Sequence, residues 1–298
     1  MSRLYEALQR ADLERKAAPP TEDDRLLDPA VISRIEEPHP PNAETALENI
    51  AQHPWKLSIA SFPTLADRGA GVEQFRSLRS RVYQARYEAP LKTILVSSGM
   101  PSEGKSFIAA NLAMNLARNG VNNTLLIDGD LRRPTLHTLL GAPCTPGLSE
   151  YLAGTAGLTD IMQRGRTPKA LETPSVGSIA NLTFIPSGQC GDNSSELVAN
   201  HRIEELIAAV SPHFDWIVID SPPVLAVTDA VELSRAADAV LLIARGASTP
   251  YDVAQRAQAA FSNSRILGFV LNDVKELARL GYNYYEYYRG PDATVRAR

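Results

Sequence analysis

The chain has 298 residues, 44% of them hydrophobic, with 30 Lys and Arg against 34 Asp and Glu and a formal net charge of −4. That length and apolar content support one large domain with arms, and the acidic balance excludes a basic surface for nucleic acid or anionic lipid. The two cysteines, Cys144 and Cys190, form neither a disulfide framework nor a metal-ligand spacing, which fits a reducing compartment.

Met1 to Lys16 carry charges throughout and no apolar core, so no secretory signal is expected. No uncharged apolar run approaches the roughly 20 residues that span a bilayer. The expectation is a cytoplasmic protein that reaches the inner face of a membrane only through a partner.

Residues 1–16 read as an amphipathic helix, with Leu4, Tyr5, Leu8 and Ala11 on one face. Docking helix and frayed terminal helix are both open readings. Residues 17–55 are rich in Pro, Glu, Asp and Ala and read as a flexible linker. Residues 56–61 read as an edge strand or an extended lead-in. A helix is predicted over 71–88, where Glu73, Arg76 and Arg79 drift about 60° per step and share one broad face. They suit contact with a neighbouring subunit or pairing within the helix, and spacing alone favours the second.

The residues from 92 onward alternate strand and helix patterns. Strands are predicted at 92–97, 123–128, 182–186, 215–220, 238–244 and 265–271, and helices at 105–118, 195–210, 229–236 and 251–263. This is the pattern of an α/β fold, a mostly parallel sheet with helices on both faces, whose ligands bind at the carboxyl ends of the strands. After the first of these strands comes Gly99-Met100-Pro101-Ser102-Glu103-Gly104-Lys105-Ser106, the G-x-x-x-x-G-K-S phosphate loop in its required strand–loop–helix setting. Its glycines allow a tight turn, and the helix start offers open N–H groups and a partial positive charge. Lys105 suits the β- and γ-phosphates of ATP, and the Ser106 hydroxyl suits Mg²⁺. The nucleotide-binding set is Gly99, Ser102, Glu103, Gly104, Lys105, Ser106 and Phe107.

Two further strands run apolar residues straight into an acid: Leu125-Leu126-Ile127-Asp128, followed by Gly129-Asp130, and Trp216-Ile217-Val218-Ile219-Asp220. An unpaired buried carboxylate is costly, so these endings require a purpose. Asp220 reads as the Walker B acid that holds Mg²⁺ directly or through its water, and Asp128 as a second metal or metal-water contact. Asp128 and Asp130 are also candidates for receiving a proton from an attacking hydroxyl. The catalytic set is Lys105, Asp128, Asp130 and Asp220. Beyond the last strand, the domain predicted over 56–280 gives way to a tail, 281–298. It holds five of the ten tyrosines, Tyr282, Tyr284, Tyr285, Tyr287 and Tyr288. An aromatic hairpin is the bland reading. An exposed cluster next to an ATP site reads as phosphoacceptors, and modifying all five adds roughly −8 to −10 charges.

Together these pieces, over about residues 65–290, resemble the bacterial tyrosine kinases, the tyrosine autokinases of capsule and exopolysaccharide biosynthesis. The resemblance is carried by the phosphate loop with its internal proline, by Leu126-Ile127-Asp128-Gly129-Asp130-Leu131-Arg132-Arg133-Pro134, by Val218-Ile219-Asp220-Ser221-Pro222-Pro223 and by the tyrosine cluster. Pro146-Gly147-Leu148-Ser149 with Leu152-Ala153-Gly154 is also similar to the family, and Glu73-x-x-Arg76-x-x-Arg79 is similar to its E-x-x-R-x-x-R subunit-contact motif.

The resemblance implies a P-loop fold and an ATP- and Mg²⁺-dependent protein-tyrosine autokinase that forms a ring and offers its tail to a neighbour. It also implies a membrane chain-length-determinant-like activator and a cognate tyrosine phosphatase, with this chain of the stand-alone type. The sequence departs from the family at Ser102, where glycine is frequent. Asn272 closes the last strand, where related ATPases often place an adenine contact, and joins the nucleotide set on that ground. The rival readings are a partitioning or cell-division type of ATPase switch and a non-catalytic nucleotide-dependent scaffold. The former usually has a lysine where this chain has Met100.

Overall fold

The computed structural model describes residues 50–66, 68–118, 122–166, 179–189, 194–246 and 248–274. The predicted helix at 1–16, the linker up to residue 49 and the tail at 281–298 lie outside the described residues. So do the five candidate phosphoacceptor tyrosines.

Eight strands form one sheet: β1 (Ala51–His53), β2 (Thr93–Ser98), β3 (Thr124–Asp128), β4 (Gln163–Gly165), β5 (Leu182–Ile185), β6 (Trp216–Asp220), β7 (Ala239–Arg245) and β8 (Ile266–Asn272). Their order is β1-β4-β5-β3-β6-β2-β7-β8, with every neighbouring pair parallel except β4 and β5. The six predicted strands are all present, with boundaries shifted by a residue or so.

The helices are α1 (Ala70–Glu88), α2 (Lys105–Ala117), α3 (Leu136–Leu140), α4 (Leu148–Leu152), α5 (Ser194–Val198), α6 (Arg202–Val210), α7 (Asp229–Ser234) and α8 (Tyr251–Ala260). Alternate residues of the central strands supply two cores. Ile94, Val96, Leu126, Val218, Leu241 and Ile243 pack with α1, α2 and α3. Leu95, Leu125, Ile127, Ile217, Ile219 and Leu242 pack with α4, α6, α7 and α8. Both faces of the sheet are therefore covered, which explains why the strands read as continuous apolar runs. No helix among the described residues is long and apolar enough to cross a membrane.

Three expectations change. The linker predicted to reach residue 55 gives way to the fold by residue 50: Ile50 and Trp55 are buried, and Trp55 stands edge-on to Phe184 at 6.1 Å. Residues 56–61 form no strand. Instead the Ser61 and Phe62 N–H groups turn back to the Ser58 carbonyl, and the edge of the sheet is β1. The helix predicted over 195–210 is broken into α5 and α6 at His201, whose φ is +60°. Asn200 holds the break by donating to the Leu152 carbonyl and accepting from the Arg202 N–H.

Candidate active site

The order β3-β6-β2 sets three neighbouring carboxyl ends side by side. β2 runs into the phosphate loop, β6 ends at Asp220, and β3 ends at Asp128, opposite Asp220 in the strand register. The parallel sheet thus brings Lys105, Asp128, Asp130 and Asp220 together, as their positions at the strand ends predict. Gly129 makes the approach of β3 to β6 possible. A Cβ there would lie 2.7 Å from the Asp220 carbonyl oxygen, which accepts the Gly129 N–H at 2.8 Å.

The loop turns into α2 through Gly104, whose φ of +93° lies in the left-handed region. The first intrahelical bond runs from the Ile108 N–H to the Gly104 carbonyl at 3.0 Å. Helix geometry therefore leaves the N–H groups of Lys105, Ser106 and Phe107 open for an anion. The Phe107 ring turns into the core edge-on to Phe75 at 6.0 Å, so only its backbone suits a ligand. Ser102 also adopts a left-handed conformation, with φ of +66°.

Lys105 is buried and its ammonium donates to Asp130 Oδ2 at 2.9 Å, with Asp220 Oδ1 at 4.0 Å and Ser106 Oγ at 3.4 Å. Burial alone would lower its pKa, but the Asp220 and Asp130 carboxylates outweigh burial and hold it above its ordinary value. Asp128 is fully buried. Its oxygens accept from the Asp130 and Leu136 N–H groups, yet burial and the adjacent Asp220 push its carboxyl well above the ordinary range. Asp220 is 0% exposed, and neither of its oxygens closes a hydrogen bond among the described residues. Burial raises it to about 6. The Lys105 ammonium, the facing Ser106 hydroxyl and the Ser221 amide only temper that rise.

A dicationic metal answers this arrangement. The orphaned Asp220 oxygens and the Ser106 hydroxyl are hard oxygen donors of the kind Mg²⁺ prefers. Among the described residues no three acidic, His or Cys side chains make a cage by themselves. That suits an ion whose remaining ligands are phosphate oxygens and water.

Two residues assigned to the nucleotide also bond within the protein. Glu103 is buried, and its carboxylate accepts from the Met100 N–H at 2.8 Å and from the Thr249 hydroxyl. The Asn272 amide donates to the Glu103 carbonyl at 3.0 Å. Both brace the loop. Sequence reading missed Thr249, and it missed the buried Asp229, which accepts from Arg132 Nε and Ser195 Oγ at 3.0 Å each. That pair ties the turn after Asp128 to α7.

The helix motif is divided. Glu73 and Arg76 pair with each other at 2.5 Å on an exposed face, whereas Arg79 donates to the Asn115 carbonyl of α2 at 3.2 Å. A separate cavity of about 580 Å³ opens at the amino ends of the strands, beside Arg86, Lys92 and Asp238. Its polar groups serve the turn into β2, where Asp238 accepts from the N–H groups of Lys92 and Thr93.

No protein-family model matches the chain. Over 220 residues it is 36% identical to the tyrosine-protein kinase wzc of Salmonella typhimurium (strain LT2), a match covering 72% of this chain and 29% of that protein. Over 215 residues it is 32% identical to the tyrosine-protein kinase YwqD of Bacillus subtilis (strain 168), covering 72% of this chain and 85% of that protein. The chain thus spans less than a third of the first relative and most of the second. In structure it is similar to the kinase domain of Escherichia coli tyrosine kinase ETK, with a TM-score of 0.59 and 30% identity, covering 76% of this chain and 80% of that one.

Proposed function

The chain belongs to the bacterial tyrosine kinase family, and from that membership we propose that it is an ATP-dependent protein-tyrosine autokinase. Its acceptors are the tyrosines of its own tail, Tyr282, Tyr284, Tyr285, Tyr287 and Tyr288. The observation that carries this reading is the position of Lys105. It projects from the first turn of α2 into a buried cluster of three aspartates, beside N–H groups that the helix leaves open.

The open N–H groups of Lys105, Ser106 and Phe107 bind phosphate oxygens, and the Lys105 ammonium exchanges Asp130 for the β- and γ-phosphates. Ser106 and Asp220 would hold Mg²⁺, with Asp128 as a further candidate contact, and the bound ion would supply positive charge against the phosphates. Asp128 orients the tyrosine hydroxyl. A loose phosphoryl-transfer transition state asks little of a base, so placement counts for more than proton affinity. Lys105, Asp128, Asp130 and Asp220 are buried, which strengthens their electrostatic hold on the phosphates and the metal.

Membership also supports a ring of subunits contacting through Glu73, Arg76 and Arg79, a membrane chain-length-determinant-like activator and a cognate tyrosine phosphatase. Phosphorylation of the tail would disfavour the ring through like-charge repulsion, and cycling between the two states would regulate polysaccharide polymerisation and export.

The test is the intact mass of phosphatase-treated protein after incubation with Mg-ATP. Stepwise phosphate additions are expected, absent in Lys105→Met and in a variant whose five tail tyrosines are Phe. Nucleotide binding without any addition, even with an activator's cytosolic segment present, would favour a nucleotide switch.

A further inference from the structure

Glu103 poses a problem of charge. It places a carboxylate inside a loop whose task is to hold polyphosphate, where a free acid would repel the ligand. The structure answers with a brace built from the ends of β7 and β8. Glu103 is only 4% exposed. One oxygen accepts from the Met100 N–H and the other from the Thr249 hydroxyl. The Arg245 N–H donates to Thr249 Oγ at 2.8 Å, so the Thr249 proton is directed to Glu103. On the backbone side, the Asn272 amide donates to the Glu103 carbonyl. The supports are themselves fixed: Arg245 Nε and Nη2 donate to Asp273 Oδ2 at 3.0 and 2.6 Å, and the Gly246 N–H donates to the Asn272 carbonyl at 2.7 Å.

We propose that Thr249 and Asn272 are positioning residues that act through Glu103, turning its carboxylate and its carbonyl out of the phosphate cradle. Without the Thr249 hydroxyl, one carboxylate oxygen is left buried and unpartnered, and the side chain gains by turning toward the loop mouth. Without the Asn272 amide, the Glu103–Gly104 peptide loses its external anchor. In both cases negative charge or a carbonyl dipole competes with the ligand. The proposal rests on reading the loop as a nucleotide cradle but not on phosphotransfer.

The test is titration of the full chain with a fluorescent ADP analogue and Mg²⁺, alongside melting without nucleotide. Thr249→Val and Asn272→Ala are each expected to weaken binding about tenfold (about 1.4 kcal/mol), with Thr249→Ser within about twofold of the parent. Melting temperatures without nucleotide should stay within about 2 °C of the parent. In a Glu103→Ala background, Thr249→Val should have no further effect, because its partner is gone. Parental affinity in Thr249→Val and Asn272→Ala overturns the proposal. So does a Thr249→Ser variant as weak as Thr249→Val, or a loss that simply adds to that of Glu103→Ala. Binding is the readout, so a chain that binds ADP but transfers no phosphate would sink the kinase reading and leave this one intact.

Discussion

Asp220 combines full burial, two oxygens with no hydrogen bond among the described residues and a carboxyl raised from 3.8 to about 6. The folded chain therefore holds this proton more tightly than the unfolded chain. Its contribution to stability is complete below the unfolded value and is lost as pH rises from about 4 through about 6. The loss is on the order of 3 kcal/mol for a shift from 3.8 to about 6. Asp220→Asn removes it. The variant should melt several degrees above the parent at pH 7.5 without nucleotide, and the gap should narrow toward pH 4. A gap that widens toward acid would refute the assignment. If Asp220 holds the metal as proposed, adding Mg-ADP should reverse the order, because a neutral amide is the poorer Mg²⁺ ligand. Asp128 and Asp220 were legible because an apolar strand that ends in an acid is chemically unusual. The Glu103 brace was not: Thr249 and Asn272 lie 146 and 169 residues from Glu103, nothing near Thr249 marks it, and Asn272 stands out only as the close of the last strand.

At the level of elements, the loop shows how local conformation limits substitution. Ser102 sits at φ +66°, where a β-branched side chain is strained and glycine is at ease. Ser102→Val should cost about 1–3 kcal/mol and weaken ADP binding in the same titration. Ser102→Gly should match the parent within about twofold. Equal affinities for the valine and glycine variants would mean that the loop's strain does not reach the cradle. The same level explains which elements sequence could show. β2, β3, β6 and β7 are buried on both faces and read as unbroken apolar runs. β1 and β4 are three residues each, Ala-Gln-His and Gln-Arg-Gly, with no period to detect. The α5–α6 break was hidden because the apolar pattern continues through it, and the side chain of Asn200 makes the turn by bonding to Leu152 in another element.

The assembly question belongs to the whole molecule. Glu73 and Arg76 form an exposed i, i+3 pair at 2.5 Å, with side chains 45% and 51% exposed. Such a pair contributes little to one subunit, about 0–1 kcal/mol, so exchanging it for a partner's charges costs the fold almost nothing. Arg79 differs, because its guanidinium donates to the Asn115 carbonyl in the last turn of α2, where a cation is favoured. Alanine at Glu73 and Arg76 together should therefore leave the melting temperature within about 1 °C while lowering the mass of the unphosphorylated chain in light scattering. Arg79→Ala should lower the melting temperature by about 2–4 °C as well as the mass. An unchanged mass in both variants would assign the Glu73–Arg76 pair to a solvated face and Arg79 to the packing of α1 on α2. A drop in mass with the double variant's melting temperature preserved is the result that only a subunit contact produces.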